Sequence, residues 1–468
     1  MTRRSLARIA LLALLHCAPR SPPPASQLVL YLDTDAPLPS GSGGASGALD
    51  PAPLFDRVRF DATPNGDSGA CDCSREFDVT SELVASGAVS FGVLPPLAGQ
   101  GTLRVRLFRA SATVEGEPDP GSTIDITFAL PEASSSGVVE WTLYMPTDEV
   151  GTPLGTASPM ATLAGRPNPS HVGTWPGAIR RNCAAAPGVG EVCVPGGAFW
   201  MGNVAASGQG ANSGDASRLV ILSPFYVDET EMTVGTFRGL NGVAAGFWES
   251  TRACATGDYC TLTPHPGPNE DLPATCVDWP HARAVCVRQG KDLLSEAQFE
   301  YLASGLAGQP YVWGTDVPQC GDTVFERGGY GAYSNFPHDC VDVPSNAPDC
   351  DAGFPAGGLG LGGPLPPRSG SRDRLTIALA GWTGTVFDLI GNVAEYTLDK
   401  WNLETGSCWS RRGVYTNPVC DDPSATERTN RGGDWASDPA GVLAAFRDWN
   451  GLNDDSAEIG LRCARPSE

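Results

Sequence analysis

The stretch RTNRGGDWASDPAGVLAAFRDWN (Arg428–Asn450) gathers Asp434, Ser437, Asp438 and Arg447 into a short span. Serine and carboxylates side by side suit proton transfer or nucleophilic attack. A hydrolase, however, needs a histidine relay and a strained serine elbow, and no Gly-x-Ser-x-Gly precedes a helix here. Ser437 with Asp434 and Asp438 reads instead as a turn, because Ser and Asp bond their own backbone. Trp435, Phe446 and Trp449 read as core. Arg447 suits a ligand anion or, more simply, a neighbouring carboxylate. The five histidines are His16, His171, His265, His281 and His338, and no two lie four apart. No helical His-x-x-x-His metal pair is therefore available. The C-x-C of Cys71 and Cys73 has no histidine near it, which argues against zinc.

Fifteen cysteines are many for a reducing compartment and fit an exported protein. Close spacing pairs Cys183 with Cys193, Cys254 with Cys260, and Cys408 with Cys420. No cysteine lies between Asn430 and Arg462. The start of the chain agrees with export. A basic MTRRSLAR precedes the short apolar IALLALL and then His16-Cys17, the shape of a secretory signal over 1–17. Cys17 resembles a lipidated cysteine, with plain secretion as the alternative. The formal net charge of −22 disfavours nucleic acid, which needs cationic contacts, and suits an extracytoplasmic surface or a hard cation such as calcium. The only membrane contact expected is the lipid at Cys17.

Glycine (57) and proline (41) are abundant and only 18% of residues are charged, so short strands and turns are expected over long helices. Residues 18–26 read as a tether. Residues 27–154 carry short runs rich in β-branched and aromatic residues: QLVLYLD, RVRF, VSFGVL, TLRVRLFRA, TIDITFAL and VVEWTLYM. Their spacing predicts an N-terminal antiparallel β-sandwich. Residues 155–182 read as a linker, and a second unit spans 183–468. Within it LSEAQFEYLASG (294–305) reads as a helix capped by Ser295 and stopped by Gly305. PHARAVCVRQ (280–289) reads as a second helix. Residues 352–371 are Gly/Pro-rich and read as a surface insertion.

The second unit resembles the formylglycine-generating enzyme family, the sulfatase-modifying-factor domain. The resemblance rests on eight segments in order: VPGGAFWMGN (194–203), FYVDETEMTVGTF (225–237), CVDWPHARAVC (276–286), GKDLLSEAQFEYLASG (290–305), YVWGTD (311–316), DLIGNVAEYTLDKW (388–401), RGGDW (431–435) and IGLRCARP (459–466). It implies an α+β, C-type-lectin-like fold with much irregular structure. It also implies a disulfide between Cys286 and Cys463. The family's second disulfide does not carry over, because Ala303 and Asp448 or a neighbour occupy its positions. The GNVAEY loop implies calcium bound by Asn392, Val393 and Glu395, and a second site would use Asn335 and Asp351.

Family members oxidise a cysteine of sulfatases to formylglycine, using oxygen and Cu(I) held by two active-site cysteines. Cu(I) is soft and selects thiolate. Here the resemblance places Asp434 at the family's serine, Ser437 at the first cysteine and Val442 at the second. Neither Ser437 nor Val442 offers a thiolate, so copper is not expected. Relatives in sulfoxide-synthase iron enzymes take their ligands from a helical His-x-x-x-His-x-Glu domain, which this chain lacks. The expectation is a non-catalytic binding or scaffold module for a protein or glycan ligand. The alternatives are a formylglycine-generating or other metal-dependent oxidase, and a purely structural surface protein.

Overall fold

A computed structural model describes residues 27–41, 47–64, 74–93, 101–132, 137–152, 159–202, 216–240, 260–262, 265–328 and 362–467. The expected signal, tether and lipidated Cys17 lie outside these residues, as do Asn335, Asp351 and Cys254. The architecture is mostly β with few helices. No helix among the described residues is long and apolar enough to cross a membrane.

Two four-stranded sheets occupy residues 27–164. One runs Leu163–Ala164, Val138–Met145, Gln27–Thr34, Ser90–Val93. The other runs Ser74–Asp78, Arg57–Pro64, Gly101–Phe108, Ile124–Ala129. Side chains alternate across a strand, so Leu103, Val105 and Leu107 share one face, opposite Arg104 and Arg106. That apolar face joins Leu28, Leu30 and Leu32 of the other sheet in one buried cluster. Phe60 of one sheet stacks on Phe91 of the other at 5.6 Å. The expected all-antiparallel arrangement is corrected at one pair: Gln27–Thr34 runs parallel to Val138–Met145. The long chain between them supplies the crossover that parallel pairing needs.

The segment read as a linker is partly built into this structure. Leu163–Ala164 adds a strand, and Trp175 is buried with its indole donating to Asp148 at 2.8 Å. Burial of a tryptophan removes a large apolar area from water, and its indole N–H then needs a partner, here Asp148. Trp175, Ala198, Trp200 and Leu219 belong to the same cluster as the two sheets. Trp200 Nε1 donates to the Leu54 carbonyl at 2.9 Å, and its ring meets Phe55 edge-on. One core therefore runs from the first unit into the second.

The second unit holds small sheets joined by long irregular segments. Ala394–Lys400, Glu427–Arg431 and Arg447–Gly451 lie side by side, with Ile459–Gly460 on the far edge. Glu191–Val194, Phe225–Asp228, Cys463–Pro466 and Asp292–Leu293 form another sheet. The helix Glu296–Ala303 starts at a capping box, in which Ser295 accepts from Gln298 N and the Gln298 side chain returns to Ser295 N. Gly305 follows at φ 66°, the left-handed stop. Trp279–Arg288 begins at Asp278, whose carboxylate accepts from His281 N. The expected surface insertion is corrected at its end: Gly362, Gly363 and Pro364 are buried, and Leu365 N donates to Asn392 Oδ1 at 2.8 Å.

Disulfides staple the irregular backbone. Cys183 bonds Cys193, Cys286 bonds Cys463 and Cys408 bonds Cys420. Cys260 is not paired with Cys254, as spacing suggested, but with Cys276. The local backbone explains this. Thr261 and Thr275 exchange hydrogen bonds through N and Oγ1, which lays residues 260–262 beside 273–276. Cys320 is also in a disulfide, and its partner is not among the described residues.

Candidate functional site

The frame around residues 431–447 is held from below by the helix Glu296–Ala303. Glu296 and Glu300 lie four apart and so share one helix face. Arg431 donates through Nε to Glu296 Oε2 at 3.1 Å and through Nη2 to Glu300 Oε2 at 2.7 Å. Arg447 clamps Glu296 with Nε at 3.0 Å and Nη2 at 2.8 Å. All four side chains are buried, and each charge meets an opposite one. Arg447 is therefore a structural partner of a carboxylate rather than a free anion receptor. Gly432 sits at φ 83°, and a Cβ there would meet the Phe299 ring at 2.8 Å. Only glycine suits that position.

Ser437 and Val442, which the resemblance matches to the family's two cysteines, lie in the loop above this network. Ser437 Oγ accepts from Asp434 N at 3.1 Å, and Asp434 Oδ1 accepts from Ala436 N at 2.7 Å. Asp438 Oδ1 accepts from Ala440 N and Gly441 N. These are turn bonds, and the Ser437 hydroxyl is part of them. Val442 is fully buried, and a Cβ on Gly433 would meet its Cγ1 at 2.6 Å. It fills space against the glycine backbone. Every described cysteine is in a disulfide.

Carboxylates gather in the same region. Asp434 and Asp448 are half-buried, as is Glu458. Burial lifts the Asp434 carboxyl to about 6, with the Asp448 charge adding to the rise. Burial and the charges of Asp434 and Asp448 lift Glu458 to about 8. Asp448 is also raised, by burial. Cross-strand register pairs Asp448 with Asn430, whose amide donates to Asn450 Oδ1 at 3.0 Å. Sequence reasoning singled out Asp434 from the motif but passed over Asp448 and Glu458 as members of this group, because nothing in their local context marks them.

The GNVAEY loop is occupied by protein partners. Asn392 adopts φ 67°. Its Oδ1 accepts from Leu365 N, and its amide donates to Glu231 Oε2 at 2.8 Å and the Leu365 carbonyl at 3.0 Å. Its own carbonyl accepts from Trp435 N, and Val393 N donates to Glu231 Oε1. Both Glu395 oxygens face Arg462, at 2.9 Å and 3.2 Å from Nε, with Nη2 2.7 Å from Oε1. The Asn392 side-chain oxygen and both Glu395 oxygens thus have protein partners, Leu365 N and the Arg462 guanidinium. No group of three or more metal-ligating side chains occurs among the described residues.

Around Arg462 lie four buried carboxyls: Glu231, Asp373, Asp388 and Glu395. One guanidinium cannot balance four anions away from water. Burial accordingly raises all four, Glu231 well above the ordinary range and Asp388 to about 7.

A family model described as "Sulfatase-modifying factor enzyme 1-like domain" matches residues 177–467. The formylglycine-generating enzyme of Streptomyces coelicolor is 29% identical over 165 residues, covering 27% of this chain and 51% of that protein. The chain thus spans about half the length of that curated relative. Among solved structures, PvdO from Pseudomonas aeruginosa is 19% identical, covering 59% of this chain and 94% of its own, with TM-score 0.41. Treponema denticola variable protein 1 is 14% identical, covering 61% and 94%, with TM-score 0.36. CarF is 16% identical, covering 59% and 97%, with TM-score 0.34.

Proposed function

The chain belongs to the sulfatase-modifying factor enzyme 1-like family, and from that premise we propose that its family domain is a binding or scaffold module that does not run copper thiolate chemistry. One observation carries the reading. The Ser437 hydroxyl is engaged in a turn and Val442 is buried, so neither position offers the soft donor that Cu(I) requires. The ligand is a protein or a glycan, held by loops on a stapled frame. The two sheets of residues 27–164 serve as a sandwich-like spacer, and the protein is exported and anchored through lipid on Cys17. Palmitate labelling that survives Cys17→Ser would remove the anchor from this reading.

The test of the main claim uses the full chain, copper and a Cys-x-Pro-x-Arg peptide under air, with the product weighed by mass spectrometry. The peptide cysteine is expected to stay unoxidised. Its conversion to an aldehyde would overturn the proposal. A second reading keeps an enzyme of another kind, and the carboxylate trio Asp434, Asp448 and Glu458 favours it. Carboxyls raised to about 6 and about 8 are able to exchange protons near neutral pH.

A further inference from the structure

Four disulfides have both cysteines among the described residues, and the bond between Cys260 and Cys276 differs from the other three in exposure and backbone. Cys286 and Cys463 are both buried, and Cys193 and Cys420 each bury one end of their bonds. Cys260 and Cys276 are both partly exposed. Cys276 also sits at φ 58°, and no other described cysteine has a positive φ. A non-glycine residue in that region carries strain that the surrounding structure must hold. Part of the hold does not involve sulfur. Thr261 N donates to Thr275 Oγ1 at 3.0 Å, Thr275 N to Thr261 Oγ1 at 2.9 Å, and the Asn269 amide to the Thr261 carbonyl at 3.1 Å. These bonds keep the two cysteines side by side whether or not they are joined.

The pair lies against the candidate site. Cys276 packs on the small cluster of Val324, Val393, Trp435, Ala436 and Ala457. Its N–H donates to the Ser456 carbonyl at 2.8 Å. Ser456 Oγ accepts from Glu458 N at 3.1 Å, and Trp435 Nε1 donates to the Ala457 carbonyl at 3.1 Å. We propose that the disulfide between Cys260 and Cys276 is a redox latch: closed, it holds residues 456–458 and with them Glu458 in place, and reduced, it releases them. The chemistry is exchange with a dithiol, such as the Cys-x-x-Cys pair of a thiol–disulfide oxidoreductase. One thiolate of the dithiol attacks a sulfur, the Sγ–Sγ bond breaks to a mixed disulfide, and the second thiolate resolves it. Two electrons and two protons pass to Cys260 and Cys276, and the dithiol leaves as a disulfide. Exposed and strained disulfides are the ones that such exchange opens first. Once freed, Cys276 relaxes out of the left-handed region and withdraws its N–H from Ser456. The latch sets the position of Glu458 whatever the carboxylates bind.

Graded dithiothreitol on the native full chain, followed by alkylation and peptide mapping, reads the order of opening. Cys260 and Cys276 should be alkylated before the cysteines of the other three bonds. Hydrogen exchange on the protein reduced at this bond alone reads the release. Peptides covering 276–278 and 456–458 should exchange about tenfold faster, the scale of one backbone hydrogen bond. The strand Gly101–Phe108 should not change. Oxidised glutathione, added after the dithiothreitol is removed, should restore the slow exchange. Cys260→Ser opens the bond without reductant and should exchange as the reduced wild type does. Alkylation of Cys260 and Cys276 no earlier than Cys408 and Cys420 overturns the latch, as does unchanged exchange at 456–458 after reduction. A rise spread over the whole family domain means lost fold rather than a released segment, and overturns it too. These wild-type results decide the matter even where the variant does not fold.

Discussion

Asp388→Asn should reduce the loss of stability that the protein suffers as pH rises. Asp388 follows the strand Trp382–Phe387 at φ 53° and is 2% exposed. Its Oδ2 accepts from Arg368 N at 2.5 Å. Burial, and then the charge of Asp373, moves its carboxyl from an ordinary 3.8 to about 7. The folded state thus holds this proton more tightly than the unfolded chain. The corresponding stability is fully present below about pH 4 and is lost as pH rises through about 7. The interval from 3.8 to about 7, at 1.36 kcal/mol per pKa unit, is worth ~4 kcal/mol. Asparagine cannot ionise, tolerates the left-handed conformation and keeps an oxygen for Arg368 N. Urea unfolding followed by fluorescence, from about pH 4 to about pH 8, reads the effect. The wild type should lose ~2–4 kcal/mol more over this range than the variant. Glu231, Asp373 and Glu395 are raised by the same burial, so the variant keeps a residual slope of the same sign. A variant whose pH slope equals that of the wild type would show that Asp388 is ionised in the folded protein and that the charge imbalance around Arg462 is relieved elsewhere.

Glu395→Gln should destabilise the protein by ~3–5 kcal/mol, because it strips a buried guanidinium of its carboxylate. Dialysis against a calcium chelator should leave the melting temperature unchanged. Stoichiometric calcium in the purified protein, or a fall in melting temperature on chelation, would refute this expectation, which rests on the protein partners of Asn392 and Glu395. Trp200→Ala should cost ~3–5 kcal/mol, since the indole bridges the two units and bonds Leu54. A loss well under ~1 kcal/mol would mean that the shared core contributes little. Cys276→Ser should free Cys260 for alkylation in denaturant and lower stability by ~3 kcal/mol, the scale for a loop of this length. A peptide map linking Cys260 to Cys254 would refute that pairing.

Local signals in the sequence were informative where the physics is local. Ser295 and Gly305 bracket a helix because a cap and a left-handed stop are chosen by adjacent backbone. TLRVRLF alternates because one face of its strand is buried. Ser74–Asp78 escaped notice because it is an edge strand with almost every side chain exposed, so no apolar period marks it. The parallel pairing of Gln27–Thr34 with Val138–Met145 escaped because it joins residues more than 100 apart, and neither strand carries a local mark of its partner's direction. Cys260 was misassigned because spacing favours the shortest loop, whereas the backbone exchange at Thr261 and Thr275 decides the partner.

The candidate site divides along the same line. Motif order was enough to find the frame, because Arg431, Arg447, Glu296 and Glu300 form one buried ion network that positions the loop irrespective of its contents. The network does not depend on what sits at 437 and 442. At those positions a hydroxyl engaged in a turn and a methyl pair packed against Gly433 fill the frame. Scaffold and chemistry are thus separable in this fold, and the scaffold is the part that sequence order reports. The buried acids are the reverse case. Glu231, Asp373 and Asp388 look like ordinary surface residues in the sequence, and only their removal from water, around a single Arg462, gives them unusual proton affinity. Burial is a property of the assembled chain, so the residues with the most perturbed electrostatics were those the sequence could least mark.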